Sequence, residues 1–167
     1  MYKRQRLADA DDLLAYCAAE RPGVLLGITS NTPMRHMESV LPMLGLHDHF
    51  SWFTCSQDVG VEKPGAAMFE AAVEQARFWV GPDLRPEEVL HVGDSLACDF
   101  CGARAAGLQA LLLDRSDNPK VTQFQDWLEA PDYPGKSEED VRRHTVRDLT
   151  AVRDLLAGER RVEQARE

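Results

Sequence analysis

The sequence predicts an α/β protein with a three-layer, Rossmann-like arrangement, in which a parallel sheet lies between helices. Short apolar runs such as Val24–Ile28 and Val89–Val92 alternate along the chain with longer segments of helical period. Strands that alternate with helices form parallel sheets, because each helix returns the chain to the edge where the next strand begins. Polar residues follow directly after several of these runs, and such folds bind ligands at the carboxyl ends of their strands.

Apolar runs bounded by glycine, proline and other turn residues mark the strands. Strands are expected at residues 24–28, 50–54, 89–92, 109–113 and 145–146. Helical periodicity predicts helices at about 11–21, 33–44, 66–77, 97–106 and 148–156, with a shorter one around 123–128. Asp9 or Asp11 is expected to cap the first helix, because carboxylates accept hydrogen bonds from the free N–H groups there.

The length of 167 residues predicts one domain. We expect a core at 11–157, an irregular segment at 1–10 and a charged, disordered tail at 158–167. The net charge of −9 argues against nucleic acid and membrane surfaces as partners, because both are anionic. Phosphate binding then requires a local positive site, supplied by a lysine, a metal ion or helix N-termini.

The cysteines indicate a reducing, cytoplasmic environment. The sequence contains no apolar leader and no run of about 18 apolar residues, so neither export nor a membrane span is expected. Cys98 and Cys101 form a C-x-x-C pattern, which is compatible with a redox pair or with half of a zinc site. No second pair of cysteines or histidines stands at a suitable spacing. We therefore expect two reduced thiols on one helix that bind no metal.

An acidic pair follows the third predicted strand. Gly93 allows a sharp turn off the strand, Asp94 follows it, and Asp99 lies five residues further on. Two carboxylates that converge at a strand end suit Mg²⁺, which binds one or two carboxylates and keeps several waters. The alternative is that Asp94 or Ser95 only caps the next helix.

Two further polar elements follow the first two strands. Ser30 and Asn31 follow the first strand, where a hydroxyl and backbone N–H groups at a helix start can hold a phosphate oxygen. Lys63 stands before Pro64 in a loop, and the proline favours an extended backbone at the lysine. Taken singly, the first element is also typical of a helix cap and the second of a solvated surface lysine.

The order of the three motifs resembles the haloacid dehalogenase-like (HAD-like) superfamily of hydrolases. Ser30 corresponds to the second motif of the family, Lys63 to the third, and Asp94 and Asp99 to the fourth. The resemblance runs from about residue 11 to residue 113, with a further match at 145–156. Within the superfamily the sequence is most similar to the branch of haloacid dehalogenase-like hydrolase domain-containing protein 3.

The resemblance implies an Mg²⁺-dependent phosphatase that acts on a small phosphorylated metabolite. In the family, a phosphoryl group passes to an aspartate and then to water. Ser30, Asn31 and Lys63 are then expected to bind the phosphate, and Ser30 and Lys63 also to contribute to catalysis. Asp94 and Asp99 are expected to hold Mg²⁺, and two acids in this motif favour a phosphatase over a metal-free dehalogenase.

The first motif of the family has no counterpart in this sequence. That motif is a buried strand ending in Asp-x-Asp-x-Thr, and it carries the nucleophile. Asp9 and Asp11 have the spacing, but the basic residues 3–6 before them cannot form a buried strand. The resemblance places the missing strand between residues 24–28 and 89–92, which leaves two strand edges unpaired. We therefore expect a partial core without the central strand or the cap domain, weak Mg²⁺ binding and no activity of the chain alone.

Two classes of function stay open. One is a phosphatase of which this sequence is a part, and the other is a non-catalytic protein that uses the remaining scaffold for binding. A receiver-like domain of two-component signalling shares the layout, but it requires an acidic pocket on its first strand, which this sequence lacks.

Overall fold

The structure is a computed structural model and describes residues 7–116, 127–128 and 130–158. The helices are α1 (Ala8–Glu20), α2 (Met34–Met43), α3 (Ser56–Val59), α4 (Ala66–Val80), α5 (Gly102–Ala105), α6 (Glu138–Arg143) and α7 (Thr150–Ala157). The strands are β1 (Gly27–Ser30), β2 (Trp52–Cys55), β3 (Leu90–Gly93), β4 (Gln109–Leu113) and β5 (Thr145–Val146). A π-helix at Leu96–Cys101 runs into α5, and 3₁₀ turns occupy His47–His49 and Pro86–Glu88.

The strands form two parallel sheets. β1 pairs with β2 in one sheet, and β4 pairs with both β3 and β5 in the other. The α/β class with parallel strands is therefore confirmed. Within the described residues no strand joins the two sheets, so β1 and β3 each have a single partner. These are the two strands whose edges the sequence predicted to be unpaired.

Helix α4 spans the two sheets. It packs on β1 and β2, and its Phe69 ring meets the His91 ring of β3 edge-on, with the centroids 5.4 Å apart. Phe69 is fully buried, and it belongs to the main apolar core together with side chains of β4 and of the segment before α5. One helix therefore contacts both sheets.

Several strand bounds differ from prediction by one to three residues. The run 24–28 was expected to be the first strand, but β1 begins at Gly27 because the ladder with β2 begins there, opposite Trp52. Gly27 also lies under the Trp52 indole, and a Cβ at Gly27 would stand 2.1 Å from that ring. The partner strand and its large side chain thus set the register, and neither is visible in the local apolar pattern.

The N-terminal helix begins earlier than predicted. Residues 8–10 were assigned to an irregular segment, yet α1 starts at Ala8, with Leu7 as a cap residue that makes no side-chain bond. Asp9 was expected to cap α1 and does not. Its Oδ2 instead accepts hydrogen bonds from Arg115 Nη2 at 2.7 Å and from the Leu149 N–H at 2.8 Å. Asp9 therefore ties α1 to the region before α7, and both Asp9 and Asp11 lie in a helix rather than after a strand.

A segment between β4 and β5 packs on the core through one tyrosine. The buried Tyr133 donates its O–H to Asp140 Oδ2 at 2.8 Å, and the Arg104 guanidinium lies 5.3 Å from the centre of the tyrosine ring. His144 Nδ1 lies 3.2 Å from Asp140 Oδ1, and its ring lies beside Phe100. The sequence analysis predicted no element for helix α6, whose start is capped by a serine side chain.

Some predictions fall where the structure gives no description. The short helix expected around 123–128 lies outside the described residues except for positions 127 and 128, and so does the tail beyond Gly158. Among the residues that are described, no helix has the length and apolar character needed to cross a membrane.

Candidate active site

The candidate site lies at the carboxyl ends of β1 and β3. Ser30 is the last residue of β1, Gly93 is the last residue of β3, and Asp94 follows it. Lys63 stands in the connection between α3 and α4, and its side chain reaches this end of the strands. The peptide bond from Lys63 to Pro64 is cis.

The Lys63 ammonium joins the two sheets. Lys63 Nζ donates to the Thr29 carbonyl oxygen of β1 at 2.7 Å and to Asp99 Oδ1 at 2.6 Å. The side chains of Lys63 and Asp99 are only 10% and 9% exposed, so this is a buried ion pair and not a solvated surface contact. A charge held by two protein acceptors in a place that excludes water has a fixed position.

Asn31 fixes the backbone of the lysine loop. Its side-chain Nδ2 donates to the Lys63 carbonyl at 2.9 Å, and the Lys63 N–H donates to Asn31 Oδ1 at 2.7 Å. The Asn31 amide, which was predicted to bind substrate, thus forms two hydrogen bonds within the protein. Ser30 Oγ lies 2.9 Å from Thr32 Oγ1, which orients the hydroxyl expected to bind phosphate. The phosphate roles of Ser30 and Asn31 stay predictions.

Asp99 accepts hydrogen bonds from three donors. Oδ1 receives Lys63 Nζ and lies 3.0 Å from His91 Nε2, and Oδ2 receives the Ser95 N–H at 3.0 Å. Burial by itself would raise the pKa of Asp99, but the His91 bond, the Lys63 charge and the Ser95 N–H together hold the pKa well below its usual value. Asp99 is therefore a carboxylate anchored on the lysine.

Gly93 makes room for this carboxylate. A Cβ at Gly93 would lie 2.3 to 2.5 Å from the carboxyl group and Cβ of Asp99. The glycine predicted for a sharp turn is thus also required by the close approach of a side chain. This second requirement arises from the packing of Asp99 against Gly93 and not from the conformation of the turn.

The segment carrying Asp99 is a π-helix rather than the ordinary helix that the sequence predicted from residue 97. Leu96–Cys101 follow Ser95, whose side chain caps the segment by accepting from the Cys98 N–H at 3.1 Å. The N–H groups of both Asp99 and Phe100 reach the Ser95 carbonyl. π-Helical turns are rare and occur often at functional sites. Ser95 therefore fills the capping role that was the alternative interpretation of this motif.

Asp94 lines a separate cavity of about 630 Å³. Leu44 and Leu46 come to this cavity from the β1–β2 side, while Leu113 comes from the end of β4. The cavity therefore spans the two halves of the structure. Its other lining residues are Leu7, Ala10, Gly93, Asp114, Arg115, Ser116 and Leu149. Asn31 lines a smaller cavity of about 370 Å³, so the predicted site residues do not share one pocket.

The described residues do not complete a site for Mg²⁺. No group of three or more His, Cys, Asp or Glu side chains in the described part of the chain is placed to hold a metal ion. Mg²⁺ requires near-octahedral oxygen ligands, and both oxygens of Asp99 already accept hydrogen bonds within the protein. Among the described residues, Asp94 and Asp99 are therefore not joined by a third acidic, histidine or cysteine side chain, and their metal roles stay predictions.

The sequence profile of the haloacid dehalogenase-like hydrolases matches residues 5–107, which is more than half of the chain. The chain belongs to this family. Its motifs at Ser30, Lys63 and Asp94 lie within the matched range. Hydrolase membership confirms the resemblance drawn from the order of the motifs.

Known relatives of this HAD-like chain include phosphatases. Haloacid dehalogenase-like hydrolase domain-containing protein 3 of Mus musculus is 34% identical over 113 residues, covering 68% of this chain and 41% of the mouse protein. Ribulose-1,5-bisphosphate 5-phosphatase of Halopiger xanaduensis is 33% identical over 138 residues, covering 83% of this chain and 52% of that protein. The crystal structure of a HAD phosphatase from Thermococcus onnurineus superimposes with a TM-score of 0.69 at 26% identity, covering 94% of this chain and 60% of that one. The chain thus spans about half the length of the relatives it matches.

His91 is a site residue that sequence reasoning missed. It stands in β3, two residues before Gly93, and it contacts Asp99 directly. The available signal was a polar residue inside the apolar run Val89–Val92. A single histidine in a strand is also compatible with a core position, so this signal alone does not identify a site residue.

The thiols of this HAD-like chain give a direct test of the cysteine prediction. All four cysteines are free, and only Cys98 is partly exposed. Burial raises the pKa of the Cys101 thiol to about 11, so little thiolate forms there near neutral pH. We expect one thiol to react rapidly with Ellman's reagent in the native protein and four to react in denaturant. Rapid reaction of two native thiols, or stoichiometric zinc in the purified protein, would contradict this prediction.

Proposed function

We propose that this chain is the phosphate-positioning part of a Mg²⁺-dependent phosphatase that acts on a small phosphomonoester, and that the chain alone is inactive. The observation that carries the proposal is the Lys63 ammonium, fixed between the Thr29 carbonyl and Asp99 at the end of the strands. Phosphoryl transfer depends mainly on positioning and on charge stabilisation, and a fixed cation supplies both. Two of the relatives are named phosphatases, which supports the same reaction class.

The proposed roles follow from what each group can donate. In the proposed reaction a phosphoryl group passes from the substrate oxygen to an aspartate carboxylate, and water then releases it as inorganic phosphate. Lys63 would stabilise negative charge on the phosphoryl oxygens, and Ser30 would donate a hydrogen bond to one of them. Mg²⁺, when bound, would supply further charge neutralisation. Asn31 would hold the Lys63 loop in place through its two backbone bonds.

The missing nucleophile is proposed to lie on a strand between β1 and β3. Both strands have an unpaired edge within the described residues, and α4 packs across the two sheets to which they belong. The cavity of about 630 Å³ brings Leu44 and Leu46, from the β1–β2 connection, opposite Gly93 and Leu113 at the ends of β3 and β4. The chain spans 41% of the mouse relative, so the strand has room in a longer protein.

Magnesium binding tests the proposed metal role. We expect only weak Mg²⁺ binding by this chain, because the described residues do not complete an oxygen site. Replacement of Asp94 by Asn should remove the remaining binding, whereas the exposed Asp132→Asn control should not change it. Titration calorimetry is the measurement. Micromolar affinity that survives Asp94→Asn would exclude Asp94 as the ligand.

A non-catalytic scaffold is the second candidate. It is favoured by the fact that the Lys63 ammonium already has two acceptors within the protein, including the Asp99 carboxylate. Such a protein would use the same fold for binding and would release no phosphate in any form. The partners proposed for the first candidate are small phosphorylated metabolites, and the free thiols fit a reducing compartment such as the cytoplasm.

The two candidates are separated by phosphate release. The test compares this chain with a version extended upstream so that a strand ending in Asp-x-Asp-x-Thr is restored, using a panel of small phosphomonoesters with Mg²⁺. Release by the extended protein alone supports the phosphatase. If neither version releases phosphate from any compound of the panel, the non-catalytic scaffold is favoured.

A further inference from the structure

We propose that His91 is a positioning residue that acts through Asp99 to hold the Lys63 ammonium at the end of β1. Its consequence for catalysis rests on the proposed phosphatase function, whereas its effect on Lys63 can be measured without any activity. The order of motifs in this sequence did not point to a histidine at this place.

The His91 side chain makes one hydrogen bond among the described residues, to Asp99. Its Nε2 lies 3.0 Å from Asp99 Oδ1, and its side chain is only 13% exposed. The ring meets Phe69 of α4 at an interplanar angle of 90°, with 5.4 Å between the centroids. The backbone of His91 is held in the ladder opposite Ala110. Strand and aromatic neighbour therefore fix both ends of the side chain that points at Asp99.

The chemistry of the pair fixes the direction of the hydrogen bond. An ionised carboxylate only accepts hydrogen bonds. His91 Nε2 must therefore carry the ring proton and donate a hydrogen bond to Asp99. Oδ1 then shares its lone pairs between His91 and Lys63, and the Ser95 N–H holds Oδ2. The donors from β3 and from the Ser95 turn orient the carboxylate, and the oriented carboxylate sets where the ammonium lies.

An apolar side chain would serve the packing at this position equally well. Residue 91 stands in an apolar strand next to Phe69, and no other hydrogen bond of the His91 side chain is seen among the described residues. Burying an imidazole without using its N–H would cost free energy. The polar group therefore serves the bond to Asp99, and through Asp99 the histidine connects β3 with the Lys63 ammonium.

A displaced cation should affect the reaction more than substrate binding. Lys63 is proposed to stabilise charge that develops in the transition state, and such interactions act on kcat more than on KM. In the extended protein we expect His91→Leu to lower kcat about tenfold with little change in KM, because a displacement of about 1 Å can already cost more than this. The His91→Gln variant retains a donor and should restore most of kcat.

The direct test uses the side-chain ammonium signals of the 15N-labelled chain, which contains four lysines. A buried, hydrogen-bonded ammonium exchanges slowly with water and gives a resolved signal, and its loss in Lys63→Arg assigns it. We expect the Lys63 signal in the wild type and in His91→Gln, and at least about tenfold faster exchange in His91→Leu. The control is His144→Leu, because His144 also pairs with an aspartate and lies beside a phenylalanine, Phe100, but does not touch Lys63.

The outcomes separate the two proposals. An unchanged Lys63 signal in a folded His91→Leu variant overturns the positioning role, and so does equal loss in His91→Leu and His91→Gln. A wild-type chain without a slowly exchanging Lys63 signal also overturns it. Dependence of the signal on His91 in a protein that releases no phosphate supports the positioning role and refutes only the phosphatase function.

Discussion

The 167-residue chain is expected to release no phosphate from p-nitrophenyl phosphate with Mg²⁺, while the upstream-extended protein does. The resemblance places Asp94 and Asp99 in the fourth motif of the family and not in the first, which carries the nucleophile. The Ser30 hydroxyl is hydrogen-bonded to the Thr32 hydroxyl, and no histidine contacts it in the described part of the chain. Serine at its free pKa is a weak nucleophile. Lys63 and Asp99 are already bonded to each other.

The expected difference between the two proteins is large. A chain without a general acid or base is expected to be slower by a factor of about 10²–10⁴ in the rate of reaction. The absence of a covalent nucleophile lowers the rate further. The short chain should therefore lie at the background of a colorimetric assay. Clear turnover by the short chain that disappears in Lys63→Ala would show that another group is the nucleophile.

The extended protein then tests Lys63 itself. Lys63→Ala should lower kcat by about 10²–10³-fold, the range found when one charge-stabilising donor is removed from a site. The matched control is Lys136→Ala. Lys136 has a 12% exposed side chain and binds a carbonyl, that of Ala130, and an aspartate, as Lys63 does, but it lies in the segment between β4 and β5. Equal losses of activity in the two variants would mean that Lys63 acts only through stability.

Much of the fold was accessible from the sequence because apolar runs and turn residues are local signals. β4 and β5 were predicted to the residue, and α2 within two residues. The sequence placed Ser30, Lys63 and Asp94 at the carboxyl ends of the strands by one rule, that parallel strands bring together the residues that follow them. In the structure the Lys63 ammonium lies at this end and contacts both Thr29 and Asp99.

What the sequence did not reveal depends on contacts between distant parts of the chain. The bonds between the Asn31 amide and the backbone of Lys63, 32 residues away, are one example. The π-helix before α5 carries Asp99, which contacts Lys63 and Ser95. Helical periodicity in the sequence does not distinguish a π-helix from an α-helix. Asp9 shows the same limit, because its partner Leu149 lies 140 residues further on.

Asp99→Asn is expected to be the most destabilising single change in the site. It leaves the Lys63 ammonium buried, with the Thr29 carbonyl as its remaining full acceptor. Breaking a buried ion pair by removing one partner costs about 3–5 kcal/mol, and the retained carbonyl bond suggests the lower end, about 3 kcal/mol. That is a large part of the 5–15 kcal/mol typical of a folded domain. Urea unfolding followed by circular dichroism gives the free energy of unfolding directly.

The exposed pair between Lys136 and Asp132 provides the control for this measurement. Asp132→Asn makes the same change of charge and also removes a lysine partner, but the Asp132 side chain is 99% exposed. Solvent screens such a pair, so no measurable change in the free energy of unfolding is expected. A second comparison is the double variant Asp99→Asn with Lys63→Met, which should recover part of the loss because no unpaired charge stays buried.

The pH dependence of the loss identifies its cause. Burial alone would raise the pKa of Asp99, but the His91 hydrogen bond and Lys63 outweigh it and keep the pKa below the unfolded value. The stabilisation by Asp99 is therefore complete above the ordinary aspartate pKa of about 3.9 and is lost as the pH falls through the folded-state pKa. The difference in free energy of unfolding between wild type and Asp99→Asn should be constant from pH 7 to about pH 5 and should narrow below about pH 4. A difference that stays constant down to the acid transition would mean that Asp99 stabilises the site by its shape and not by its charge.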